Sequence, residues 1–130
     1  MSVELGFDAV FAGHSHTSQL AEYLDEKPVF YSMGNVSMSP GTFYSVPECL
    51  PEYGLAAHLY IENKKIQRVT FSVFKMVQED KNPMRIIPVS DLLETLDGEA
   101  REQLCQEVSQ VVSRVTGREG HYPVKLEYGL

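Results

Sequence analysis

Two histidines one residue apart, His14 and His16, stand where an apolar run, Ala9-Val10-Phe11-Ala12, gives way to Gly13. Imidazole is the commonest metal-ligating side chain, and a His-x-His at the end of a strand has the makings of half a metal site. Open α/β sheets put their ligands at the carboxyl ends of strands. An apolar strand of this kind is expected to be buried. Gly13 is expected to supply a backbone conformation that other residues resist. If residues 14–16 are extended, both imidazoles point the same way. The plain alternative is a pair of turn histidines with hydrogen-bonded rings. Ser15 and Thr17 are small and suit a loop open to a metal-activated water, but two imidazoles do not complete a site. Catalytic zinc takes three protein ligands plus water, and a dinuclear centre takes more. His58, inside Ala56-Ala57-His58-Leu59-Tyr60, reads as a satisfied sheet histidine, and His121 as a solvent-facing one.

The elements that position this pair come from an ordinary globular composition. The chain has 130 residues, 43% of them hydrophobic and 22% charged, enough for one modest core. A formal charge of −7 argues against a nucleic-acid partner, because phosphate backbones reward clustered Lys and Arg. No apolar run approaches the roughly 20 residues of a membrane helix, and no signal peptide is evident. Localisation therefore stays undetermined. Cys49 and Cys105 sit far apart in unlike contexts, which favours two free thiols over a disulfide.

Strands come first and helices last. Residues 7–12 are predicted as a strand, after a stub, Met1 to Leu5, that resembles a helix tail. Residues 19–24 and 28–33 flank Asp25-Glu26-Lys27 and suit a hairpin; a helix over 17–24 is the competing reading. Residues 34–54 make a long loop with Met38, Phe43, Tyr44 and Tyr53 near its Gly and Pro pauses. Phe43-Tyr44 reads either as a lid or substrate wall, or as a cover for the core at a sheet edge. Strands over 55–61 and 66–77 follow, joined by Glu62-Asn63-Lys64-Lys65. Alternation places Val69, Phe71 and Val73 on the core side of the second. An extended segment from Met84 to Val89 carries prolines that keep it from a central position. Ser90 or Asp91 is expected to cap a short helix, and Asp97 a longer one from Glu99 to about Val115. That helix is amphipathic: Leu104, Val108, Val111, Val112 and Val115 share one side, and Glu102, Gln106, Gln110 and Arg114 the other. Gly117 ends it, and an irregular tail follows. The chain divides into residues 1–89, which carry the histidine loop at 13–17, and a helical segment with tail, 90–130.

The run from Gly6 to His16, a strand followed by Gly13-His14-Ser15-His16, resembles the last metal-ligand motif of the calcineurin-like metallophosphoesterase superfamily. Downstream, Lys27-Pro28-Val29-Phe30-Tyr31-Ser32-Met33-Gly34-Asn35 resembles a segment of CapA-like proteins of capsule and poly-γ-glutamate biosynthesis. The resemblance covers residues 6–35, extends loosely over 55–77, and does not identify 90–130. Val36 stands where the family often has Phe. Ser15 fits a 5′-nucleotidase-like relative, which also uses Gly-His-Ser-His-Thr.

The resemblance implies an α/β fold, the carboxyl-terminal portion of a two-sheet αββα sandwich with both sheets mixed. It also implies that His14 and His16 each bind one metal of a dinuclear centre of manganese, zinc or iron, as neutral imidazoles oriented by outer hydrogen-bond acceptors. The parent activity would be metal-dependent phosphoester hydrolysis or a capsule-polymer role, often at the cell envelope. The remaining ligand motifs would lie upstream, so the chain alone is expected to hydrolyse little. It is expected to pair with a separately encoded amino-terminal half or to self-associate, its Val69-Phe71-Val73 face left sticky. Asn35 is the candidate substrate-binding residue, either donating a hydrogen bond to substrate or holding the loop; a strand-ending Gly34-Asn35 turn is the simpler alternative.

Overall fold

Two tight turns of the same kind organise the strands. Asp25 and Glu26 have φ of +48° and +65°, and Asn63 and Lys64 have +50° and +63°. Positive φ at both central residues is the type I′ geometry, whose twist matches that of the strands it joins. The computed structural model describes residues 6–36, 46–78 and 83–130. The Met1–Leu5 stub and the loop residues Met38, Phe43 and Tyr44 lie outside these described residues.

The first turn joins β2 (Ala21–Leu24) to β3 (Lys27–Phe30), so the hairpin forms and the helix over 17–24 does not. On the other side of β3, β1 (Val10–Phe11) pairs in parallel, giving a mixed sheet of order β1-β3-β2. The second turn joins β4 (Tyr53–Glu62) to β5 (Lys65–Val77). Antiparallel to β5 run β6 (Arg85–Pro88) and, at the end of the tail, β7 (Tyr128–Gly129). The second sheet is antiparallel throughout, whereas the resemblance implied two mixed sheets. The tail is therefore not wholly irregular: Tyr128 is buried and stacks on Phe71 at 5.4 Å between ring centroids.

The two α-helices among the described residues are α1 (Val89–Thr95) and α2 (Gly98–Thr116). Neither Ser90 nor Asp91 caps α1. The residue before its first turn is Pro88, the last residue of β6, so the chain passes from strand to helix without a polar cap. Asp97 holds the N-cap position of α2, but its side chain makes no capping hydrogen bond, and Gly117 ends the helix at φ +65°. No helix among the described residues is long and apolar enough to cross a membrane. The expected stripe of α2 is its buried face, and burying five aliphatic side chains contributes roughly 1.5–3 kcal/mol each.

That stripe corrects one expectation. Val69, Phe71 and Val73 are each 1% exposed or less, so this face is not bare. It shares one apolar core with α2, with Phe30 and Ala21 of the first sheet, and with Val89 and Tyr128. The helical segment supplies the cover that the sheet needs. A second correction concerns β1. It has only two residues, and Phe7 and Phe11 are 53% and 44% exposed. As the edge strand of its sheet it has one strand neighbour among the described residues, which leaves its apolar side chains half open.

A charged cluster fastens α2 to the second sheet. Tyr53 Oη and Lys75 Nζ both donate to Glu107 Oε2, the latter at 2.8 Å, and Gln103 donates to Oε1. Burial, followed by the bond to Glu107, holds the Tyr53 hydroxyl far above its ordinary value. Burial also works to raise the Glu107 carboxyl, but the bonds from Lys75, Tyr53 and Gln103 outweigh it and hold the group below the usual carboxylate value. A carboxyl lowered on folding stabilises the protein above its unfolded pKa, and that stability is lost as pH falls through the folded value. Glu107→Gln is expected to cost about 1–2 kcal/mol at neutral pH. From about pH 5 downward the two Tm curves should converge. A parallel fall of both curves in thermal melts would remove Glu107 from the acid response.

Candidate metal-binding loop

Where β1 ends, Ala12 N donates to Phe30 O at 2.9 Å and Met33 N donates to Ala12 O at 3.0 Å, so the ladder continues to the edge of the histidine loop. Beyond it the backbone turns sharply. The strained positions are the histidines themselves: His14 has φ +96° and His16 +59°, whereas Gly13 is not in the positive-φ region. The expected role of Gly13 therefore falls to its neighbours, and residues 14–16 are not extended. Positive φ in non-glycine residues costs on the order of 1–3 kcal/mol, and it persists only where the surroundings over-determine it.

For His16 those surroundings are visible. Its Nδ1 lies 2.8 Å from Asn35 Oδ1. Asn35 Nδ2 donates to the carbonyls of His16 and Pro51, both at 2.9 Å. Two carbonyl acceptors fix which end of the amide is NH2, so Oδ1 faces the ring and the ring must donate. The proton is then on Nδ1, and in the neutral ring the lone pair is on Nε2. This is the arrangement by which an outer acceptor fixes the tautomer of a ligating histidine.

Asn35 is only 6% exposed. It follows Gly34, whose φ is +75°, and both residues sit where the two sheets touch. Gly34 bridges Gly54, and Leu55 N donates to Met33 O at 2.9 Å. A Cβ on Gly34 would lie 2.8 Å from Tyr53 O, and one on Gly54 would lie 2.3 Å from Asn35 O and 2.5 Å from the Phe74 ring. Two glycines thus let the backbones approach closely enough to hold Asn35 over the loop.

The third support was not legible in the sequence. Thr17 Oγ1 donates to Cys49 O at 2.8 Å, and Arg114 Nη1 donates to both Thr17 Oγ1 at 2.7 Å and Cys49 O at 2.8 Å. Cys49 ends a short 3-10 turn, Pro47–Cys49. Arg114 falls on the polar side of α2 by periodicity, yet it is half-buried against the loop. Nothing local in sequence signals a contact 97 positions away.

His14 is exposed and has no hydrogen-bond partner among the described residues. His58 Nε2 is 2.7 Å from Ser72 Oγ, as a satisfied sheet histidine should be, and His121 is exposed. Cys49 and Cys105 are free thiols. Among the described residues no three His, Cys, Asp or Glu side chains form a group able to hold a metal. The loop therefore offers one oriented imidazole and one open one, a donor set that fits part of a metal site. Compared with known proteins, the chain matches no family model, no curated protein and no solved structure.

Proposed function

We propose that the chain is the carboxyl-terminal portion of a CapA-like, calcineurin-type metallophosphoesterase domain, in which His14 and His16 ligate divalent metal and the assembled domain cleaves a phosphoester. The observation that carries this reading is the bond from His16 Nδ1 to Asn35 Oδ1, made on a strained backbone at the carboxyl end of a parallel strand. On this reading Asn35 orients a ligand. That is the loop-holding role weighed for it above, in place of direct contact with substrate. A divalent pair, when bound, supplies charge that polarises a phosphoryl oxygen and activates water for attack. His16 keeps its Nε2 lone pair aimed by the Nδ1 bond, and His14 remains open to solvent on the same loop. Further ligands must come from outside the described residues. The half-open edge at Phe7 and Phe11 supports assembly with an additional segment alongside β1.

Calorimetric titration of the purified chain with zinc and manganese tests the reading, with His14→Gly and His16→Ala as variants. The wild type should bind, and both variants should lose affinity. His14→Gly should melt higher as well, by about 1 kcal/mol of stability, because glycine accepts φ +96° without strain. Equal zinc and manganese isotherms for all three proteins would defeat the assignment. Phosphate release from nucleoside monophosphates by an assembled form would favour the 5′-nucleotidase-like relative over a capsule-polymer role.

A further inference from the structure

The histidine loop is held from two directions, and only one of them lies within the segment that resembles the metallophosphoesterases. Asn35 grips residue 16 through its ring and its carbonyl. Arg114 grips residue 17 from the other end of the chain. We infer that Arg114 is a positioning residue for the metal loop, acting on His16 through the hydroxyl of Thr17. The functional meaning of this inference rests on the metal reading above.

The hydrogen-bond inventory makes the contact specific. A threonine hydroxyl has one proton and two acceptor sites. The proton of Thr17 goes to Cys49 O, and the guanidinium donates into the oxygen, so the rotor has one setting. Arg114 Nη1 closes the triangle on the same Cys49 carbonyl. Charge-assisted bonds are roughly twice as strong as neutral ones. The chain carries 18 carboxylates, yet Arg114 has no carboxylate partner among the described residues. A half-buried guanidinium directed at a hydroxyl and a carbonyl orders those groups, which a surface ion pair would not do. Residue 17 is thereby pinned directly after the positive-φ backbone of His16. The helix that no motif identifies becomes part of the site.

The test uses the full chain with Arg114→Met, Arg114→Lys, Thr17→Val and the Met/Val double variant. Zinc affinity and the visible absorption of the cobalt-loaded protein are read beside thermal melts. Arg114→Met should weaken zinc binding by about tenfold, the low end of the range for outer-shell partners. Thr17→Val, nearly isosteric, should do the same, and the double variant should be no worse than either single one, because each removes the bond from Arg114 to Thr17 through which the effect reaches His16. Arg114→Lys should recover part of the affinity, since one nitrogen makes both bonds. Independent, multiplying losses would overturn the inference. A metal-free readout separates it from the metal reading: nitrogen NMR should find the His16 ring with its proton on Nδ1 in the wild type and spread between tautomers in Arg114→Met and Thr17→Val. If the wild type binds no zinc, the metal reading fails and the tautomer still decides Arg114. An unchanged tautomer in both variants refutes the positioning role.

Discussion

Replacing Asn35 with alanine is expected to weaken zinc or manganese binding by about 10- to 100-fold and to lower stability by about 2–4 kcal/mol. Both effects follow from the same three bonds. Without the amide, His16 loses the acceptor that fixes its ring, and the carbonyls of His16 and Pro51 lose their donor at a position only 6% exposed. Asn35→Asp separates the two losses. A carboxylate still accepts from His16 Nδ1, but it has no proton to give to either carbonyl and faces them with negative charge. That variant should keep more of the metal affinity than Asn35→Ala while melting no higher. If Asn35 instead serves a substrate directly, Asn35→Ala should bind zinc as the wild type does, and calorimetry on the two variants decides between these roles.

The second large effect is expected at Gly54. An alanine Cβ there would stand 2.3 Å from Asn35 O and 2.5 Å from the Phe74 ring, and the nearer obstacle is backbone, which cannot swing aside. The penalty should reach about 3 kcal/mol, the upper end for overpacking. In a chain of this size that corresponds to a fall in Tm of roughly 10 °C. Because the displaced atom belongs to Asn35, metal affinity should fall along with stability. Gly13→Ala is the matching control: nothing lies within 4 Å of its Cβ position and its φ is not positive, so its Tm should stay close to wild type. Equal melting of the two glycine variants would show that the sheets can separate at Gly34 and Gly54 without loss.

Much of the framework was legible because it is written in short-range chemistry. Asp25 and Asn63 are residue types that accept positive φ, and each opens a short polar break between apolar runs; the second hairpin is plain from this, whereas the first still competes with a helix over 17–24 until the pairing is seen. The valine and leucine spacing of α2 has the helical period, and its stripe is the buried one. The histidine pair was visible as residue types at the end of an apolar run. Its burial is not legible there, since hydrophobicity says that a strand has apolar faces but not which neighbours cover them, and Phe11 is left 44% exposed. The histidines, not Gly13, make the turn, because glycine permits positive φ and does not require it.

The sequence by itself determined the second hairpin, the core face of β5, the amphipathic helix and the two imidazoles, all of which depend on residues a few positions apart. Only the tertiary structure decided that Asn35 faces His16 across 19 positions, that Gly34 and Gly54 let two sheets touch beneath it, and that Arg114 reaches Thr17 from 97 positions away. It also decided that α2 covers Val69, Phe71 and Val73. The reason is physical: propensity and periodicity act through bonded neighbours, whereas a hydrogen bond or a packed face between distant segments exists only once the whole chain has closed around its core.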